Sequence, residues 1–434
     1  MGTLSVANKE KILASVDQLQ EQMITAVQDL VRIKSISAEF HWEDPESQGG
    51  EGAVSRYLAK LWEKEDVLCE LFAKAPGRGN LCVRCKGTGQ GKSLLFNGHV
   101  DVVPPGDLEE WQGIDPFGGV CDGQYLYGRG AADMKGGNVA AAFALKALLQ
   151  AGFRPKGDVI LQHAVGEECK ANDFGTTACL EQGYTADAAV VCEPTCDAQG
   201  RFQINIAAFG VSEVKWRVKG KSCHTGRRRE VVRDGGLGMA VGVDAIEKGM
   251  IVYQAVKELE RQWGQSKSHE LYPPGQFCIN GATVKGGVGP SLIAPDMEMG
   301  YAITYSPYDQ YAQVQKEFTE CIQNACLNDP WLRQNPPEIE WVFDWPPFNT
   351  PKDAPIAQLA QAVAAEVVPG SGELTGMNAV CDAPFLWEKG IPSIVLGPGN
   401  IQCAHTTEEK LAIKELVEAT KIYALLIAQW CGIE

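Results

Sequence analysis

The chain has 434 residues, too many for one ordinary hydrophobic core, and its 45% hydrophobic content is ample for two globular domains. A formal charge of -16 and a pI near 5.0 argue against nucleic acid or membrane as a partner, since either anionic surface repels such a protein outside a local basic patch. No apolar run reaches about eighteen residues and residues 1–23 lack the apolar core of a signal peptide, so a soluble cytoplasmic protein is expected, its fifteen cysteines reduced and mostly buried.

Residues 1–23 carry charges scattered through a helical apolar period. Cys82 and Cys85 form a CxxC inside the strand-like segment NLCVRCKG, but no second CxxC completes a zinc ribbon, and a structural role is expected. The next segment, GTGQGKS at 87–93, looks like a phosphate loop, yet Lys86 takes the place of its first glycine and a strand follows it instead of a helix. From Ser93 the pattern alternates β-rich and helical runs: SLLFNGHVDVV, GGNVAAAFALKALLQAG, DVILQHAVGEE, FGTTACLEQG and AAVVCEP. This rhythm predicts an α/β layer with a mixed, largely parallel, buried sheet. In such sheets functional residues gather at the carboxyl ends of strands, where His99, Asp101, Glu167, Glu168 and Glu193 all fall.

After about Asn205 the order becomes β-α-β-β-α-β, with one helix from about Gly238 to Trp263 and another from about Asp309 to Leu327. That order builds a ferredoxin-like α+β sandwich. The Pro-rich DWPPFNTPKDAP marks a boundary, and α/β character returns with IPSIVLGPG and a last helix. Residues 1–205 and 346–434 are therefore expected to form a catalytic domain, into which 206–345 are inserted.

His99 offers a nitrogen ligand, and Asp101, two residues on, would share its side of an extended strand and receive the other ring N–H. Alone, such a pair is more often an ordinary turn. Asp133, in GRGAADMKGG ahead of an Ala-rich helix, suits a helix N-terminus or a bridge between two cations. Adjacent Glu167 and Glu168 at a buried strand end would repel unless a cation neutralised them. One can bind metal while the other holds the proton of the attacking water. Glu193 before Pro194 reads as a ligand at a strand end, and His405 after GPGNIQC as the second imidazole. Two imidazoles and several carboxylates are what a pair of divalent metals needs. His41, His163 and His269 read as structural, and His224, in KGKSCHTGRRRE of the inserted domain, sits in a loop where a lone histidine is usually surface decoration. No GxSxG elbow supports serine catalysis.

The ordered set HVDVVPPG, GRGAADMKGG, GEE, CEPT, SCHTG and GPGNIQCAHTTEE resembles the acetylornithine deacetylase and succinyl-diaminopimelate desuccinylase family of metallohydrolases, with aminoacylase and carboxypeptidase G relatives. The likeness spans nearly the whole chain, and CDAPFLWEKGIPSIVLGPGNIQCAH looks nearest to acetylornithine deacetylase. It implies two zinc or cobalt ions, Asp133 bridging, with His99 and Glu193 completing one site and Glu168 and His405 the other. Glu167 would be general base and then acid, and Asp101 would orient His99. The inserted domain would form a homodimer and present His224 to the neighbouring subunit's site, to stabilise the oxyanion. A cis peptide between Asp133 and Met134 is also implied.

One departure bears on substrate. In many relatives the third strand of the small domain ends in an arginine before a Pro-containing turn, whereas YAITYSPYD places Thr304 there. If that arginine grips a substrate carboxylate, the grip is absent or moved to Arg227, Arg228, Arg229 or Arg233; a solvated basic loop is the plainer reading. The expected activity is metal-dependent hydrolysis of an N-acyl amide of an amino acid or related small amine. The alternatives are a dipeptidase, carboxypeptidase or deformylase of the same family, or, in another class, a catalytically inactive dimeric binding protein.

Overall fold

The computed structural model describes residues 4–40, 49–233 and 235–434; His41 lies outside the described residues. The chain divides into two compact units, Met1–Ile206 with Thr350–Met377 and Cys381–Glu434, and Ala207–Asn349 with Asn378–Val380. The first unit opens with α1 (Val6–Gln18) and α2 (Gln20–Arg32), followed by α3 (Gly50–Lys60) and strands β1 (Leu68–Ala73), β2 (Gly79–Cys85) and β3 (Leu94–His99). The short β4 (Val120–Cys121) and β5 (Tyr125–Tyr127) precede α4 (Gly136–Gln150). Then come β6 (Val159–Ala164), α5 (Thr176–Glu181), β7 (Ala189–Val191) and β8 (Gln203–Ala208), along which the chain enters the second unit.

That unit holds β9 (Gly210–Lys219), α6 (Ala245–Ser266), β10 (Ile279–Gly286), β11 (Asp296–Tyr305), α7 (Tyr311–Leu327), β12 (Glu338–Trp345) and β13 (Phe348–Asn349). The first unit is completed by α8 (Pro355–Val367), β14 (Glu373–Met377), α9 (Ala383–Glu388), β15 (Ser393–Val395), β16 (Lys410–Ala412) and α10 (Ile413–Trp430). Pro355 opens α8 at its first turn, where the missing N–H costs nothing.

The centre of the large sheet runs β6-β3-β7-β15, all parallel, with antiparallel β2 and β1 beyond β6 and antiparallel β8 beyond β15. Every residue of β3 and β6 is buried, as their unbroken apolar runs require of strands covered on both faces. Helix α4 is buried on nearly all sides; its alanines let it lie close to α1 and α10. Cys82 and Cys85 are buried in β2, and no two of the fifteen cysteines are joined in a disulfide. GTGQGKS forms a loop into β3, with Ser93 bonded to Asp187 and no helix following.

In the second unit the strands run β10-β11-β9-β12, antiparallel throughout, with α6 and α7 closing a core of Trp216, Val218, Val256, Trp263, Ile303 and Phe318. Strand β9 alternates as a half-buried strand should: Val214, Trp216 and Val218 face the core, while Lys215, Arg217 and Lys219 pair outward with Glu340, Asp296 and Glu338. Helix α6 starts at Ala245, later than the periodicity from Gly238 suggests. Asp244 decides the start by accepting the N–H groups of Ile246 and Glu247, whereas Gly238 adopts a φ of 71° outside the helix.

Candidate metal centre

The four parallel strands end on one edge of the sheet, and each delivers part of the candidate site. His99 closes β3, Glu167 and Glu168 follow β6, Glu193 follows β7, and His405 lies between β15 and β16. Asp133 comes from the wide turn 131–135 before α4, where Asp133 and Met134 leave helical dihedrals and the peptide between them is cis. Gly98 permits this turn and the start of α4 to lie against β3, since a Cβ there would stand 3.0 Å from Met134 Cε and 2.7 Å from Asn138 Oδ1.

His99 Nε2 is 3.0 Å from Asp133 Oδ1 and 3.5 Å from Glu193 Oε1. On the other side His405 Nε2 is 2.9 Å from Glu168 Oε2 and 3.3 Å from Asp133 Oδ2. Each triad has its candidate donor atoms within 4.8 Å of one another. Asp133 belongs to both and turns one oxygen to each.

Asp101 makes a different contact from the one the strand period implies. Because β3 ends at His99, the i, i+2 rule no longer holds, and the ring Nδ1 meets the Asp101 carbonyl oxygen at 2.9 Å while the carboxylate stays 3.9 Å away. That carboxylate instead accepts the backbone N–H groups of Gly166, Glu167 and Glu168 at 2.9, 3.3 and 3.2 Å. The Asp101 side chain thus holds the Glu167-Glu168 loop, and its main chain holds the imidazole.

Buried side by side, these carboxylates and imidazoles shift one another's proton affinities. Burial raises the proton affinity of Glu167, and the Glu168, Asp382 and Asp133 carboxylates raise it further against His99. Burial and Asp133 do the same to Glu193, and Glu168 is raised in the same way. For His99 burial opposes charge, yet Glu193, Asp133 and Glu167 push its pKa well up. Hydrogen bonds to Asp133 and Glu168 lift His405 to about 10. Asp133 is held below its usual range because His405 and His99 outweigh its burial. Carboxylates outnumber imidazoles, and a divalent cation relieves that excess. Imidazole nitrogen with carboxylate oxygen is also a donor set that zinc-like ions take, so the residues fit such a group.

Residues to which the sequence assigns no role surround the candidate ligands. Asn138, in α4, donates to the His99 carbonyl at 2.6 Å and meets His163 Nδ1 through its Oδ1. Burial holds the His163 pKa down to about 3, so it serves as a neutral brace. Asp382, also buried, accepts from Asn172 and Thr176, both at 2.6 Å. Glu409 binds the Asp133 turn. A polar residue in an Ala-rich helix is a faint signal for Asn138; nothing in the sequence separates Glu409 from its neighbour Glu408.

Residues 95–429 match the pattern of Peptidase family M20/M25/M40. The chain belongs to this family. It is a metal-dependent hydrolase, as the family is. Over 97% of each sequence it is 33% identical to N-formyl-4-amino-5-aminomethyl-2-methylpyrimidine deformylase of Halalkalibacterium halodurans. It is 26% identical to the succinyl-diaminopimelate desuccinylase of Alkalilimnicola ehrlichii over 79% of this chain and 85% of that one. The fold matches the crystal structure of aminopeptidase PepT from Bacillus cereus with a TM-score of 0.71 at 21% identity, covering 94% of this chain and 98% of that one.

The second unit of this M20 chain carries the remaining candidates. His224 is exposed, and its Nδ1 accepts the Gly226 N–H at 3.0 Å. Arg227 pairs with Glu230 at 2.7 Å, Arg228 with Asp244 at 2.8 Å, and Arg229 lies 3.9 Å from Glu230. Arg233 donates to the Arg228 carbonyl. Thr304 is tied into its own sheet edge, donating to the Gln276 carbonyl and accepting the Cys278 N–H. His269 is buried and packs on Tyr272 and Tyr308. Among the described residues of this M20 protein, no helix is long and apolar enough to cross a membrane.

Proposed function

We propose that this M20 hydrolase cleaves the N-acyl amide of a small amine at a dinuclear centre, with formyl as the favoured acyl group. The observation that carries the centre is Asp133, whose Oδ1 faces the His99 group and whose Oδ2 faces the His405 group. In this reading His99, Asp133 and Glu193 hold one ion, and Asp133, Glu168 and His405 the other. Zinc or cobalt bound there supplies Lewis acidity toward the amide carbonyl and acidifies a water.

Glu167 is then the proton carrier. It is buried beside the ligands yet belongs to neither triad, which frees its carboxylate to take a proton from the attacking water and return it to the departing nitrogen. Water adds to the carbonyl, the C–N bond breaks, and carboxylic acid and free amine leave. Asp101 keeps Glu167 and Glu168 in place through their backbone N–H groups.

Formyl is supported by the 33% identity over 97% of both chains with a deformylase. Thr304 and the paired arginines agree with a substrate lacking the carboxylate that an arginine would grip. We further place the protein in the cytoplasm, in keeping with fifteen cysteines of which no two form a disulfide. A homodimer through the second unit is supported by the edge strand β10, exposed almost throughout, and by Val284 and Val288 at 64% and 75% exposure. In that dimer His224 would reach the partner's centre and donate to the oxyanion.

The test strips the metal, reloads zinc or cobalt, and compares an N-formyl aminomethylpyrimidine with N-acetyl and N-succinyl amino acids and dipeptides. Metal-restored hydrolysis with the highest kcat/KM on the formyl amide is expected. A higher kcat/KM on an acyl amino acid or dipeptide would overturn the acyl assignment, and no metal dependence would overturn the centre.

A further inference from the structure

We infer that Glu409 is a positioning residue that locks the Asp133 turn to the His405 segment, so that one buried carboxylate sets the spacing of the ligands in the second half of the centre. This rests on the reading of Asp133 and His405 as metal ligands. Glu409 Oε1 accepts three backbone N–H groups of the turn, from Gly130 at 2.8 Å and from Ala132 and Asp133 at 3.2 Å each. Its Oε2 takes Arg129 Nη1 at 2.5 Å. The Glu409 side chain has no solvent exposure and that of Arg129 has 2%.

Convergent N–H groups form a concave anion site, and here the chain fills that site with its own carboxylate. Arg129 supplies the counter-charge at this depth, lying over the Trp111 ring with a second nitrogen 3.5 Å from the Pro105 carbonyl. The main chain repeats the link: Gly128 donates to the Glu409 carbonyl, and Lys410 pairs with Tyr127.

The sequence geometry makes the link matter. Glu409 stands four residues after His405 and reaches a loop roughly 276 to 280 residues earlier in the chain, including the N–H of Asp133 itself. His405 is half-exposed, at a φ of 60° that non-glycine residues rarely adopt, with exposed Thr406 beside it. A ligand in such a loop needs an anchor, and Glu409 is the buried carboxylate nearest to it along the chain. Asp101 holds the Glu167-Glu168 loop in the same manner, so both carboxylates clasp a loop other than their own.

The experiment compares the parent, Glu409→Gln and the exposed neighbour control Glu408→Gln as full-length chains stripped of metal and titrated with Co2+, read by visible absorption, with the melting temperature of each stripped chain. Glutamine keeps the size but loses the charge that faces Arg129 and the N–H cluster. Glu409→Gln is expected to bind the weaker of two Co2+ ions about tenfold less tightly, with altered ligand-field bands; Glu408→Gln is expected to match the parent. A Glu409→Gln titration and spectrum identical to the parent would overturn the inference, as would an equal loss in Glu408→Gln. A parent that takes up no metal would overturn the underlying reading instead. Should Glu409→Gln fail to fold, Arg129→Lys replaces it: weakened Co2+ binding supports the clasp, and parental binding refutes it.

Discussion

Asp101, Asp133, Glu167, Glu193 and Glu409 of the first unit are buried at loop ends, whereas Lys215, Arg217 and Lys219 of the second stand outward on β9, each with an acidic partner. Buried charge is costly unless something specific satisfies it, and here that is backbone N–H groups, an arginine or, in the proposed reading, a divalent ion. Solvated pairs on a sheet face contribute little either way. Sensitivity to mutation should therefore track burial and chemistry in the first unit and packing in the second, which nonetheless holds the buried pair Lys248 and Asp329 at 2.5 Å.

The sharpest break is Glu167→Gln. Turnover should fall about 1,000-fold, as general acid-base loss commonly does, while metal content stays at the parental level; a variant within tenfold of the parent would remove Glu167 from the chemistry. Next comes Lys248→Met in the second unit, which leaves Asp329 buried without its cation. Unfolding free energy should drop by about 3 kcal/mol with kcat unchanged, and an unshifted denaturation midpoint would show that this unit tolerates buried charge too.

Zinc should act on one unit alone. At a free concentration about one hundred times its dissociation constant it stabilises the folded chain by about 2.7 kcal/mol. Hydrogen exchange should slow around 128–137, 166–168 and 401–409 and not in β9 to β12; slowing in both units would erase the contrast. The smallest effects belong to the basic loop. Arg227→Ala and Arg229→Ala should leave KM within about twofold of the parent, as exposed pairs predict, and a tenfold rise would reveal a carboxylate grip after all.

The convergence of His99, Glu167, Glu168, Glu193 and His405 was legible because each follows an apolar run, and parallel strands in register end on one edge. Asp133 was legible from its Gly-rich setting before a helix. The β-α-β-β-α-β order of the second unit could be read from periodicity, but the start of α6 could not, since a cap overrides a pattern that runs past it. What stayed hidden were contacts between distant segments. Glu408 and Glu409 are identical letters, one exposed and one buried against Arg129, and the difference arises from the pairing of β16 with β5. The Asp101 carboxylate was misdirected for the same reason, its partners being N–H groups about 65 residues away.

Strand β15 lies beside β7 in the sheet although the whole second unit separates them along the chain. During synthesis, the second unit's core residues have all emerged before Ser393 does, while the first unit still lacks a central strand, His405 and α10. A nascent chain halted before Ser393 would hold His99, Asp133 and Glu193 but no partner imidazole for Glu168. In the proposed reading, full metal occupancy therefore waits until the segment carrying His405 has been made.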